Sequence, residues 1–306
     1  MEDHDSTSSE DGSSKKYFYL NGEKFSSSEL FYRDDAFVNQ SDEDNESEEE
    51  STVDAQGTLT NLSSKLKNKI SKYRSSSGRY AMEGKGRALL LNNYEFERKF
   101  VNKNIEGAYN NTCSIYKNLA RIHWDVTIAD NKTETELEEV LEAFCKEVKT
   151  KPTFGVMLFI GSHGLRVNGE DCFMTQDWKR HKLSSVVNKF TESNFPELAG
   201  KPKVFITEFC RDNVELKPLF KQQPEESRNV MISYATSSGC AAYSNGADGF
   251  WFVGTFCKML KKYARKEHLA EILTKTNLLV ALEGVNGRVE MSTNNTGLLK
   301  DFYLTK

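Results

Sequence analysis

The chain has 306 residues, 38% of them hydrophobic, enough for one sizeable core with extensions. No apolar run approaches the ~18 residues of a membrane-spanning helix, and the acidic start Met1-Glu2-Asp3-His4-Asp5 lacks the basic-then-apolar order of a secretory signal. The formal charge of −4 hides an asymmetry: residues 1–60 hold 17 Asp and Glu against 4 Lys and Arg, residues 61–80 hold 6 basic residues and no acid, and the remainder comes to +3. The acidic block includes Ser41-Asp42-Glu43-Asp44-Asn45-Glu46-Ser47-Glu48-Glu49-Glu50 and cannot bury enough apolar surface to fold alone. Residues 1–60 are therefore expected to be a disordered acidic extension, with Tyr17-Phe18-Tyr19 and Phe31-Tyr32 leaving a docking arm as the alternative. Residues 61–83 read as a basic linker, too short and too poor in aromatics to imply nucleic acid. Six cysteines are scattered without CxxC pairs or metal-finger spacing, which points to reduced thiols in the cytoplasm and to no metal or cofactor.

From Gly86 the pattern becomes that of a folded domain over 84–306. Arg87 to Asn93 reads as a buried strand ending in a polar turn. Ala108 to Arg121 has helical spacing, with Cys113, Ile115, Tyr116 and Leu119 expected on the core side. Trp124 to Ile128 is a second strand. Thr133 to Lys149 opens with a capping-box pattern, Thr133-Glu134-Thr135-Glu136, and continues amphipathically through Leu137, Val140, Leu141 and Phe144. A third strand, Gly155 to Ile160, leads to His163; a helix, Leu183 to Phe190, precedes a fourth strand, Lys203 to Phe209, that leads to Cys210. A polar connection over 213–228 separates this part from a fifth strand, Val230 to Ala235, then helices at Trp251 to Ala264 and Glu267 to Val280 and a closing strand at Leu298 to Leu304. Alternation at this spacing predicts an α/β fold with a doubly wound, mostly parallel sheet flanked by helices.

In such a sheet, residues leaving the carboxyl ends of strands converge on one rim. His163 and Cys210, 47 residues apart, both stand just past strand-like runs. A thiol and an imidazole meeting there make a nucleophile and its base. The order of elements, Ala88-Leu89-Leu90-Leu91-Asn92-Asn93, Ser162-His163-Gly164, Leu198 to Ile206, Asp248-Gly249-Phe250-Trp251-Phe252 and Lys300-Asp301-Phe302-Tyr303-Leu304 together resemble the catalytic domain of the caspases. That family's signature is Gln-Ala-Cys followed by Arg, Gln or Gly and then Gly, with a histidine about 50 residues upstream. The resemblance covers residues 84–306, dividing them into a large-subunit-like part (84–212), a linker (213–228) and a small-subunit-like part (229–306). It implies Cys210 as nucleophile, His163 as base, and the backbone amides of Gly164 and Cys210 as oxyanion donors.

The departures from the family matter as much. Caspases hold a substrate aspartate with two arginines and a glutamine through charge-assisted hydrogen bonds. By alignment Ile105 and Ser244 take the arginine positions and Glu208 that of the glutamine. Losing such contacts costs several kcal/mol each when the pocket is desolvated, so specificity for aspartate is not expected. Phe209 replaces a small residue, Asp212 replaces a glycine beside the thiol, and no Asp lies between Asp212 and Asp248 to allow processing. These features imply a caspase-like pseudoenzyme that binds a caspase zymogen or protomer through its small-subunit surface and regulates its activation, hence apoptosis. A weak homodimer is compatible with the polar stretch Ser292-Thr293-Asn294-Asn295-Thr296-Gly297 before the closing strand. Neither nucleic acid nor membrane is expected as a partner. The alternative is an active cysteine endopeptidase whose Glu208 favours Lys or Arg at the cleaved position.

Overall fold

A computed structural model describes residues 78–212, 228–243, 249–282 and 292–306, together with the backbone of two short strands nearer the N-terminus. The chain divides into two units, 1–64 and 65–306. In the first, β1 (Tyr17–Leu20) and β2 (Glu23–Ser26) pair antiparallel, Tyr17 opposite Ser26 and Leu20 opposite Glu23. Both strands fall within the acidic extension of residues 1–60. The acidic run 41–50, the linker as far as residue 77 and residues 213–227 lie outside the described residues.

The second unit contains, in chain order, β3 (Lys85–Asn92), α1 (Ala108–Arg121), β4 (Asp125–Asp130), α2 (Glu134–Thr150), β5 (Thr153–Gly161), β6 (Gly164–Val167), β7 (Glu170–Met174) and β8 (Arg180–Lys182). There follow α3 (Leu183–Lys189), β9 (Lys203–Glu208), β10 (Val230–Tyr234), α4 (Trp251–Tyr263), α5 (Leu269–Leu282) and β11 (Thr293–Thr296). Six strands form the main sheet in the order β11-β10-β9-β5-β3-β4. All neighbours are parallel except β11, which runs antiparallel to β10. The doubly wound α/β reading is therefore what the chain adopts.

The pattern follows from burial on both faces. Alternate residues of a strand point to opposite sides, and parallel strands covered on both sides read as continuous apolar runs. Thus Ala88, Leu90, Met157, Phe159, Val204 and Ile206 enter the layer shared with α1, α4 and α5, while Leu89, Leu91, Val156, Leu158, Ile160 and Phe205 enter the layer shared with α2 and α3. The capping box at α2 is complete: Thr133 Oγ1 accepts from the Glu136 amide, and the Glu136 carboxylate accepts from the Thr133 amide at 2.9 Å. On α1 the core stripe is Ala108, Thr112, Ile115 and Leu119, whereas Tyr116, expected inside, is 43% exposed. Its position lies one residue, about 100° of helical turn, past Ile115 and falls off the stripe.

Two further elements differ from expectation. The segment after His163 forms a small antiparallel sheet, β6-β7-β8, that the alternation of long elements gave no sign of. Its first turn is Asn168-Gly169, both at positive φ (52° and 77°), the values a tight Asn-Gly hairpin demands. At the carboxyl end of the chain, the expected strand Leu298 to Leu304 makes only isolated bridges at Asp301 and Tyr303. The edge strand is the polar β11 just before it, while Phe302 and Leu304 are buried and Trp124 Nε1 donates to the Leu304 carbonyl at 2.8 Å. Those apolar residues serve as packing anchors rather than sheet partners.

Candidate active site

β5 and β9 lie side by side, and their last paired residues are Gly161 and Glu208. The Ser162 amide donates to the Glu208 carbonyl at 3.2 Å, so the two chains leave the sheet together. His163 and Cys210 each stand two residues beyond that last pair. Gly164 brings the chains closer still: a Cβ there would overlap the Phe209 ring and stand 2.7 Å from the Cys210 carbonyl oxygen. Only a glycine lets the backbone approach the Cys210 peptide in this way. The structure therefore gathers the three residues of the expected catalytic set at one rim of the sheet.

The imidazole of His163 is boxed in by residues the sequence did not single out. Its ring centroid lies 5.6 Å from that of Phe96 and 5.5 Å from that of Trp178. Trp178 packs edge-on against Phe96 at 4.9 Å and stacks on Phe100 at 5.5 Å. It is presented by a tight turn in which its amide donates to the Thr175 carbonyl, and its backbone is at a φ of 61°, a costly conformation for a bulky residue. His163 Nε2 lies 2.7 Å from the carbonyl oxygen of Lys103, the last residue of a 3-10 segment, Arg98–Lys103. A carbonyl only accepts, so Nε2 carries the proton and the lone pair of the neutral ring sits on Nδ1. Burial holds the imidazole below its ordinary value of 6.5, which favours that neutral ring at pH 7. The ring is thus arranged to accept a proton. Trp178→Ala will admit water to the ring and move the His163 titration up toward 6.5, read from its imidazole proton shifts by NMR.

Cys210 is half-buried, with Sγ 3.9 Å from the Ala242 carbonyl oxygen. The residues on either side of it are locked. Phe209 is 1% exposed and packs on Phe173 at 6.2 Å as well as on Gly164. Arg211 is buried, with Nε and Nη2 donating to the two Asp171 carboxylate oxygens at 3.1 and 3.0 Å. Its Nη1 donates to the Thr236 carbonyl at 3.2 Å, and its guanidinium lies 3.8 Å over the Tyr234 ring. The Arg211 amide donates to the Cys240 carbonyl while the Gly239 amide donates to the Arg211 carbonyl, both at 2.9 Å. With Gly239 at a φ of 83° this is a glycine-led β-bulge that clamps the chain before α4 onto the thiol loop. The Asp212 side chain, expected to burden the thiol, is exposed to solvent, which screens its charge.

The three altered pocket positions fall differently. Ile105 is half-buried, tied through its amide to the Tyr94 carbonyl at 2.9 Å. Ser244 lies outside the described residues. Glu208 is fully buried, and its Oε2 accepts from the Val253 amide in the first turn of α4 at 3.3 Å. A carboxylate there meets the positive end of the helix dipole. Among the described residues no three His, Cys, Asp or Glu side chains come together as metal ligands, and no helix is long and apolar enough to cross a membrane.

Comparison with known proteins agrees with this geometry. Caspase-3 of Oryctolagus cuniculus is 25% identical over 223 residues, covering 69% of this chain and 78% of that protein. Caspase-8 of Mus musculus is 25% identical over 238 residues, covering 68% of this chain but 48% of its own length. The caspase domain family matches residues 85–303, which spans every strand of the main sheet and both residues of the thiol–imidazole pair. With the sheet order, the paired strand ends and this match in agreement, the chain belongs to the caspase domain family.

Proposed function

We propose that this chain is a caspase-like pseudoenzyme of the cytoplasm that binds a caspase zymogen or protomer and inhibits its activation, and so regulates apoptosis. The observation that carries the reading is the fate of the substrate-carboxylate positions. Ile105 brings an aliphatic side chain where the family resemblance implies an arginine, and Glu208 commits its carboxylate to the α4 amide. An aspartate entering there finds no cation at either of these positions to balance its charge, which is unfavourable. The polar edge strand β11, paired only with β10 among the described residues, supports association with another sheet edge. Mixing the purified chain with each procaspase of the same organism tests this. A complex in analytical ultracentrifugation and slower zymogen activation are expected; neither complex nor change in rate with any procaspase would refute it.

A second reading has its own support. The Lys103 carbonyl and the buried neutral ring leave His163 Nδ1 able to take a proton from a thiol. On this reading the chain is a cysteine endopeptidase with a preference other than aspartate.

A further inference from the structure

A cleft of about 460 Å³ opens at the amino ends of β3, β4 and β5, lined by Met82, Ile122, Phe154 and Leu304. Phe154 lies seven residues before Gly161 on β5, about 23 Å along the strand at ~3.3 Å per residue. The cleft and the thiol–imidazole pair therefore occupy opposite ends of the sheet. No Asp or Glu among the described residues lines it, and its volume falls in the roughly 300–1,000 Å³ usual for small-molecule sites.

A row of cations leads away from this cleft. Arg265, just past the end of α4, lines it and donates through Nη2 to the carbonyl of Arg121, the last residue of α1, at 3.0 Å. The two helices pack side by side and share Ile115, Leu119, Phe256 and Leu260 in one core. Lys117 lies one turn before Arg121 and Lys261 one turn before Arg265, so two pairs of cations meet where the helices end. All four are exposed, and no carboxylate among the described residues pairs with any of them. Lys85, which also lines the cleft, is by contrast held by Asp125 at 2.8 Å. Helix dipoles favour a cation in the last turn and equally an acid in the first. α2 follows that rule with Glu134 and Glu136, whereas neither α1 nor α4 contains any Asp or Glu. The basic seam thus exceeds what the helix ends require.

Four positive charges with no acid between them match a group bearing about three or four negative charges, as a di- or triphosphate does and a single carboxylate does not. We propose that this end of the sheet binds a nucleoside polyphosphate, its phosphates over Lys117, Arg121, Lys261 and Arg265 and its base in the cleft against Ile122 and Phe154. Phe154 lends the wall an aromatic surface, which suits a flat base better than a flexible chain. Neither β11 nor the altered substrate positions take part, so this site and the regulatory reading stand or fall separately.

The test titrates magnesium-free ATP into the full chain by isothermal calorimetry, with sodium tripolyphosphate and adenosine as its separate halves. ATP is expected to bind at least about tenfold more tightly than either half, and added salt to weaken it. Lys117→Glu and Lys261→Glu should each weaken ATP by about tenfold or more, because each turns an attraction into a repulsion. Lys146→Glu, an exposed charge reversal on α2, should leave the affinity unchanged. Since all three side chains are exposed, thermal melts of these variants should match the parent. Tripolyphosphate as tight as ATP would overturn the role given to the cleft. No saturable ATP binding below about 1 mM would overturn the site. So would an affinity unmoved by Lys117→Glu and Lys261→Glu, or lowered as much by Lys146→Glu. Vesicles containing phosphatidylinositol bisphosphate that capture the chain where ATP fails would assign the seam to a lipid headgroup and overturn the nucleotide.

Discussion

Phe209→Ala is expected to lower stability by about 3–5 kcal/mol, measured by urea denaturation at constant m-value. The family signature has a small residue before the nucleophile, so the substitution restores the residue type usual there. It is nonetheless costly in this chain, because the Phe209 ring fills the space between Phe173 and the Gly164 backbone. Removing it leaves a cavity directly beneath the thiol loop, which the rigid strands β5 and β9 cannot close. Gly164→Ala, which pushes a methyl group into the same ring, is expected to cost about 1–3 kcal/mol. The two substitutions together should cost somewhat less than the sum of their separate effects, since Phe209→Ala removes the ring contact while those with the Cys210 carbonyl oxygen and the Cβ of residue 209 remain. Strict additivity would mean that the ring and the glycine do not share that space.

Arg211→Met is expected to cost about 3–5 kcal/mol, because it leaves the Asp171 carboxylate, 9% exposed, without its two-pronged partner. The only other cation beside Asp171 among the described residues is Arg166, whose Nε is 3.9 Å away and whose Nη1 and Nη2 donate to Ser238 and to the Gly169 carbonyl. The same change removes the ring contact to Tyr234 and the bond to the Thr236 carbonyl, so the bulge over Cys210 loosens as well. Asp171→Asn in the Arg211→Met background should recover part of the loss, since no buried charge is then left unmatched. A melt in which Arg211→Met matches the parent would remove Arg211 from the set of residues that hold the thiol loop.

The parts of the fold that were legible share one physical property. β3, β5 and β9 are buried on both faces, so they appear as short apolar runs whatever their neighbours are, and the strand ends then locate His163 and Cys210. The parts that were not legible depend on contacts between distant residues or on single turns. Trp178 reaches His163 from a turn 15 residues later, and Asp171 meets Arg211 across 40 residues; neither pairing leaves a periodic trace. The turn at Asn168-Gly169 carries a readable dipeptide, but the flanking strands are too short to alternate visibly. β11 is a sheet edge made of Thr, Asn, Asn and Thr, without an apolar face to betray it, whereas Phe302 and Leu304 look like a strand and pack as anchors. Glu208 was legible as a departure from the signature but not in its role, because only the register of β9 against α4 shows which groups its carboxylate meets.

The central claim is that the catalytic residues are kept in place while recognition of aspartate is gone. A positional scan of peptide substrates varied at the cleaved residue, run on the purified chain beside Cys210→Ala, tests it most directly. The expected result is no cleavage after Asp and no Cys210-dependent cleavage after any other residue, from samples that melt cooperatively. Cleavage after Lys or Arg that disappears in Cys210→Ala would contradict the pseudoenzyme reading and establish a peptidase of changed specificity. Cleavage after Asp would contradict the assignment of Ile105 and Glu208 to the substrate pocket.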